Sequence, residues 1–369
     1  MAEIVVVTWD GGGNVQPALA VAAELAARGH GIRVLGHRPQ RPVIEAAGFT
    51  AVAAPETRDF VVGDPHSPFE MIATFADRGV GRDLIAELER RPADLVVVDA
   101  LTFGALDAVR SHGVPYAVLE HFFDGYYQSI LRGPLGIALR VRGLRPSRAV
   151  RDAAVRVVTS LPELDEVRPG GAVSQVGPIV TWSPRVAAEP TVLVSLSTFG
   201  YPGMRERLQD VLDACAELPA RVVMTTGPHV DPASLRAPAD VELHRYVPHD
   251  ELMPRASVVV GHGGHGTAMR ALAHDAPVVV LPLDSKADHR MVGRRLERAG
   301  AGRLVTAAKG GRDRIARAVS DLLAEGPHRA AAAGLGSAVR SAPGAAGAAD
   351  ALEAALPDRL TSKDRVKGS

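Results

Sequence analysis

The sequence predicts an α/β protein of two doubly wound parallel-sheet domains that face each other across a central cleft. Three observations carry that prediction. Short β-branched runs alternate with helical patterns from residue 3 onward and again from residue 191, the order that builds a parallel sheet with helices on both faces. Several runs, 94–99 and 258–260 among them, are apolar without alternation, as strands buried on both sides are. Between the two series, prolines at 178, 184 and 190 mark a linker. Residues 1–180 therefore form a first domain, 181–190 the linker and 191–342 the second domain. A last helix is expected within 343–357, and 358–369 reads as a disordered polar tail.

Composition excludes several classes of function. The 369 residues carry 42 Lys and Arg against 42 Asp and Glu, so no global field argues for nucleic acid or an anionic membrane. A single cysteine, Cys215, in a predicted helix rules out a disulfide framework and disfavours a cysteine-built metal site. The chain opens directly in a strand pattern without a signal stretch. No apolar run approaches the ~20 residues that span a bilayer. A cytoplasmic protein without stable membrane insertion is expected.

In chain order, residues 3–8 form the first strand, 9–17 a turn, and 18–28 a helix closed by Gly29. The segments 32–35, 43–47 and 49–53 continue the alternation. A dinucleotide site is disfavoured. The glycines after the first strand lack G-x-G-x-x-G spacing, and Gly36 and His37 stand where an acidic residue would end the second strand. Asp99 ends the strand 94–99, and Glu120 with His121 lies just beyond the strand 116–119. From 122 to 151, Arg132, Arg140, Arg142, Arg145, Arg148 and Arg151 interleave with apolar residues. That pattern reads as a solvated basic helix face or as an acceptor-binding insertion able to meet a membrane. Strands at 155–159 and 173–176 close the first series. The second begins at 191–196, turns through Ser197, Thr198, Phe199 and Gly200, and runs on through a helix at 205–218 and strands at 222–226 and 241–244. A strand at 303–305 and helices at 313–324, 327–340 and 348–356 complete it.

The most informative stretch follows the run 258–260: Gly261, His262, Gly263, Gly264, His265, Gly266 and Thr267, opening into a helical pattern over 268–274. A strand that ends in a glycine turn and enters a helix aims free backbone N–H groups, with the helix dipole behind them, at one point. Glycines at 263, 264 and 266 allow close approach of an anion, while Thr267 adds a hydroxyl and His262 an imidazole. A diphosphate fits this inventory. After the next apolar run the loop 283–290, with Asp288 and His289, leaves the neighbouring strand where ligands of open α/β sheets bind. It carries groups suited to sugar hydroxyls.

Residues 243–302 resemble the C-terminal half of GT-B glycosyltransferases, especially bacterial ones that attach sugars from nucleotide diphosphates to natural products. The resemblance rests on His262-Gly263-Gly264-His265-Gly266-Thr267, on the preceding Tyr246-Val247-Pro248, and on the following Asp288-His289. The chain departs from that pattern at His265, where a small residue is usual, at Tyr246 for a Trp, and at His289 for a Gln. The resemblance implies a nucleoside-diphosphate sugar, with dTDP or UDP, as co-substrate rather than a resident cofactor. Tyr246 and the Val247 backbone would meet the base, His262 to Thr267 the diphosphate, and Asp288 and His289 the sugar. Thr198 or Ser197 would bring a hydroxyl to the phosphates. The last helix would cross back onto the first domain.

The turn Gly12-Gly13-Asn14-Val15-Gln16-Pro17 resembles the acceptor-side loop of the same family, where His or Asp usually occupies the position of Asn14. An inverting transfer needs a base for the acceptor's proton, and an amide has no usable basicity. Asn14 can only orient. Asp99 ranks first as the base, then Asp10, then His121, and Gly12, Gly13, Asn14, Phe122 and Tyr126 are candidates for contact with a small apolar or aromatic acceptor. No Asp-x-Asp pair ends a strand, so a metal-independent mechanism is expected, in a monomer or homodimer. Three alternatives stay open: a peptidoglycan-type N-acetylglucosaminyltransferase with a lipid acceptor, a sugar-nucleotide epimerase, and a catalytically silent nucleotide-binding partner.

Overall fold

The computed structural model describes residues 1–62, 64, 67–168, 171–186, 189–285, 287–306 and 311–357. The expected tail at 358–369 lies outside them. Strands β1 (Glu3–Val7), β2 (Gly31–Leu35), β3 (Thr50–Ala51), β4 (Leu95–Asp99), β5 (Tyr116–Glu120), β6 (Val155–Val158) and β7 (Val173–Gln175) form one sheet, in the order β3-β2-β1-β4-β5-β6-β7. Strands β8 (Thr191–Ser195), β9 (Arg221–Thr225), β10 (Glu242–His244), β11 (Val258–Gly261), β12 (Val278–Val280) and β13 (Gly302–Leu304) form the other, in the order β10-β9-β8-β11-β12-β13. Every pairing in both sheets is parallel. The architecture is two Rossmann-like α/β units, as the alternation predicts.

The unbroken apolar strands are the central ones. All five residues of β4 and all five of β5 are buried, and β11 is seated between β8 and β12, with Val259 opposite Leu193 and Val278. Apolar clusters cover both faces of each sheet. Cys215, at the end of the helix Met204–Cys215, is buried in one of them. Phe123, Leu161 and Leu164 of the first unit pack into a cluster of the second, so the two units share apolar contact beside the cleft.

Both sheets switch strand order at the same place, between β1 and β4 and between β8 and β11. The loops after these strands diverge there and leave a crevice at the C-terminal edges, the place where open α/β sheets bind ligands. The closing helix, Gly344–Ala354, packs on the helix Val15–Ala27 and on β6. Arg28 bridges to Asp350 at 2.5 Å and to Glu353 at 2.9 Å.

Two segments differ from the sequence reading. The segment around 43–47 belongs to a helix, Arg41–Ala46, and β3 shrinks to two residues. Pro42 sits in the first turn of that helix, and Ile44 is its only buried residue. The basic stretch is three short helices, Asp124–Arg132, Pro134–Val141 and Pro146–Arg151, rather than one. Pro134 and Pro146 each occupy a first helical turn, which a proline can start but not continue. Among the described residues no helix is long and apolar enough to cross a membrane.

Candidate active site

A cleft of about 510 Å³ lies between the facing sheet edges. The loops after β1, β4 and β5 form one wall, and those after β8, β11 and β12 the other. Gly12, Gly13, Asn14, Asp99, His121, Phe122 and Tyr126 reach it from the first unit. Thr198, Tyr246, Val247, His262, Gly264, His265, Gly266, Thr267, Asp288 and His289 reach it from the second.

The turn after β11 divides its glycines among three tasks. Gly263, at φ 98°, faces inward, where a Cβ would come within 2.7 Å of Val280 and 2.8 Å of the His289 carbonyl. Only glycine accepts that conformation and that contact together. Gly264 lies under the His262 ring, 2.6 Å from where its Cβ would be. Gly266 faces across the cleft, and a Cβ there would stand 4.0 Å from the Gly13 carbonyl. The helix His265–Ala273 starts with Gly264 as its N-cap, earlier than the sequence pattern suggests. Its first N–H groups, at His265, Gly266 and Thr267, therefore lack intrahelical partners and point toward the cleft.

Histidines around this turn are held neutral by burial. His262 falls to about 3 through desolvation, with His289 adding to the effect. His289, its ring 4.5 Å from that of His262, falls to about 4. His265 is buried against Phe123 of the opposite unit, ring to ring at 5.2 Å, and falls to about 3. It is a contact between the units as much as a cleft wall. Asp288 stands at the N-cap of the helix His289–Arg298 without capping it, and desolvation lifts its carboxyl to about 7. Tyr246 is 72 % exposed at the rim. Thr198 approaches the other wall, its Oγ1 3.1 Å from where a Cβ at Gly12 would be, whereas Ser197 accepts from the Phe199 N–H in its own turn at 3.0 Å.

On the first wall three strand ends converge. Asn14 donates through Nδ2 to Asp99 Oδ2 at 2.8 Å and to the Trp9 carbonyl at 3.0 Å, while its own Oδ1 is buried without a partner. The other Asp99 oxygen accepts from the Leu101 N–H at 2.9 Å. His121 Nε2 lies 3.4 Å from Asp99 Oδ2 without hydrogen-bond alignment, and neither of its ring nitrogens is hydrogen-bonded. Asp10 stays out of the cleft and accepts from the Val62 N–H at 3.1 Å. Phe122 and Tyr126 meet edge to face at 5.7 Å. Behind His121, Glu120 is buried against Arg156, and desolvation raises its carboxyl to about 7.

The cleft also contains residues that the sequence did not single out. Arg270 follows Thr267 by three positions on the same helix face, a spacing that could have flagged it, and it lines the cleft. His249 sits one residue past Tyr246-Val247-Pro248, with its Nε2 2.9 Å from Ser195 Oγ. Tyr201 lies edge to face with His289 at 5.8 Å, and Trp9 forms an aromatic wall with Phe60 and Phe75. Nothing in the local sequence marked Tyr201 or Trp9. Among the described residues no group of three or more His, Cys, Asp or Glu is arranged to hold a metal ion.

Residues 209–355 match the family described as erythromycin biosynthesis protein CIII-like, C-terminal domain. Across most of the chain the sequence is similar to the 4'-demethylrebeccamycin synthase of Lentzea aerocolonigenes, at 26 % identity over 90 % of this chain and 94 % of that one. In structure it resembles the glycotransferase of kitacinnamycin, with a TM-score of 0.78 at 24 % identity over 96 % of this chain and 99 % of the other. It also resembles glycosyltransferase VinC in complex with dTDP, with a TM-score of 0.73 at 20 % identity over 96 % and 99 %.

Proposed function

We propose a specific reaction for this chain, which has the GT-B fold, an EryCIII-like match over residues 209–355 and relatives among natural-product transferases. It moves a sugar from a dTDP or UDP donor to a small apolar or aromatic acceptor, with inversion and without a metal, in the cytoplasm. One observation carries this reading. The helix mouth at 264–267 stands across the cleft from the glycine loop at 11–14, with Asp99 and His121 beside that loop. The dTDP bound by VinC, a protein of the same fold, supports the choice of nucleotide.

In the proposed reaction the acceptor oxygen attacks the anomeric carbon from the side of the first unit. The bond from that carbon to the phosphate oxygen breaks, and its electron pair leaves with the nucleoside diphosphate. Backbone N–H groups at 265–267, the Thr267 hydroxyl and Arg270 meet the charge that develops there, and because they are preorganised they need little rearrangement. A neutral His262 adds a hydrogen bond without the cost of burying a second charge. Asp288 and His289 hold the sugar, and Tyr246 stacks on the base.

The hydrogen bonding reorders the candidate bases. Both Asp99 oxygens are engaged and Asp10 is turned away, whereas His121 has free ring nitrogens at the cleft. His121 takes the acceptor's proton, Asp99 stabilises the resulting imidazolium at 3.4 Å, and Asn14 fixes Asp99. The test is incubation with dTDP- and UDP-sugars and a set of phenolic acceptors, read by mass spectrometry, with the anomeric configuration of product read by NMR. Retained configuration rejects inversion. Sugar isomerised without acceptor points to an epimerase, and no turnover with any donor rejects a self-sufficient enzyme.

A further inference from the structure

The helix His289–Arg298 carries Arg290, Arg294, Arg295 and Arg298. None of the four has an acidic partner among the described residues, whereas Arg270 pairs with Asp250 and Arg340 with Asp275. Arg290, Arg294 and Arg298 recur every four residues and stack three like charges along one face, a spacing that destabilises a helix. The sequence keeps this unneutralised row where it lines a second cavity of about 380 Å³. Tyr126 and Ser129 of the first unit form its opposite wall, and Tyr126 and Ala287 also line the main cleft. The second cavity therefore adjoins the cleft beside Asp288, away from the exposed Tyr246 rim where the base is placed.

Four guanidinium groups with no carboxylate among them, around a space large enough for several heavy atoms, form an anion receptor. We propose that this cavity holds a carboxylate or phosphate group carried by a substrate at the end remote from the nucleotide. The cavity's affinity for anions is independent of the reaction. Its assignment to a substrate rests on the glycosyltransferase reading. Two sources share this chemistry, an acidic acceptor and an acidic transferred sugar.

Benzene-1,3,5-tricarboxylate is the probe, titrated calorimetrically into the wild-type protein and into the triple variant Arg290→Gln, Arg294→Gln, Arg298→Gln, each with and without saturating dTDP. The expected result is binding by wild type in both states, at least tenfold weaker in the variant, with dTDP affinity unchanged. Ser129→Asp, which leaves the arginines in place and sets a charge on the facing wall, should weaken the probe in the same way. No binding by wild type, or equal binding by wild type and both variants, overturns the proposal. Failure of both dTDP and UDP to bind counts against the proposed function alone, because the tricarboxylate reading still stands. UDP-glucuronate and UDP-glucose then separate the sources. A loss in the triple variant confined to UDP-glucuronate assigns the anion to the sugar, and equal donor affinities with a weakened tricarboxylate assign it to the acceptor.

Discussion

At the edge of the second sheet the groups proposed to meet the diphosphate come from one contiguous turn, residues 262–267. At the edge of the first, Asn14, Asp99 and His121 arrive from three strand ends, and 85 residues separate Asn14 from Asp99. The two sheets share a topology yet arm the cleft differently. Holding a diphosphate calls for several donors aimed at one point, and consecutive residues at a helix mouth supply them together. Taking a proton requires one basic atom, and any neighbouring strand end can offer it. The first demand ties chemistry to local sequence, and the second leaves it free to move between strands.

The largest predicted effect tests that freedom. His121→Ala should lower kcat by about 10²–10⁴-fold, the usual contribution of a general base, while dTDP affinity stays unchanged. Asn14→Ala should stay within about tenfold, because Asp99 keeps the Leu101 N–H and its place beside His121. Steady-state kinetics with calorimetric dTDP titration reads both. Equal losses in the two variants would place the base at the Asn14 side of Asp99 and make His121 and Asn14 equivalent in the reaction.

How far each wall could be read follows from the same contrast. The alternating apolar runs fixed two parallel sheets, because burial on both faces leaves β4, β5 and β11 no polar residue before their ends. The turn 262–267 was readable because its residues are neighbours. The partnership of Asp99 with His121 was not, because it exists only where β4 and β5 lie side by side, Asp99 opposite Leu119. Tyr201 and Trp9 were hidden for a related reason, since an aromatic residue in a loop looks the same whether it lines a cleft or fills a gap. Pro134 and Pro146, with Gly133 and Gly143 just before them, divide the basic stretch into separate helices.

On the second wall, Gly263→Ala should be the more damaging change. A Cβ at φ 98° would press on Val280 and on the His289 carbonyl, and strain plus overpacking of this kind costs about 3 kcal/mol. Urea unfolding should show that loss, and dTDP affinity should fall with it as the turn shifts. Gly266→Ala, with no atom closer than the Gly13 carbonyl at 4.0 Å, should keep its stability. If the two alanines behave alike, the glycines of this turn do not have separate tasks.

The contact between the walls has its own signature in acid. His265 is held near 3 by burial, while an unfolded chain protonates histidine near 6.5. Between those values the unfolded state binds a proton that the native state refuses, so His265 lowers stability as pH falls from about 6.5 toward 3. At pH 5 the penalty is about 2 kcal/mol. His265→Phe removes it and keeps an aromatic edge against Phe123. Urea midpoints at pH 7 and pH 5 should therefore diverge, with the variant gaining about 2 kcal/mol on wild type at the lower pH. A constant difference between the two would mean that His265 is reached by water in the native protein.

The smallest effect belongs to Tyr246, and it bounds how much of donor affinity the turn itself supplies. Because Tyr246 is 72 % exposed, Tyr246→Ala removes little packing and should leave the unfolding midpoint unchanged. If the ring stacks on the nucleotide base, its loss should weaken dTDP by about three- to sixfold, near 1 kcal/mol, the lower end of what such stacking contributes. Calorimetry with dTDP and with inorganic pyrophosphate separates the parts, since pyrophosphate has no base to stack and its affinity should not change. An unchanged dTDP affinity would remove Tyr246 from the donor site and leave the grip on the donor to the diphosphate at residues 262–267. A loss shared by pyrophosphate would mean instead that the rim and the turn move as one unit, and that the second wall is less rigid than its contiguous build implies.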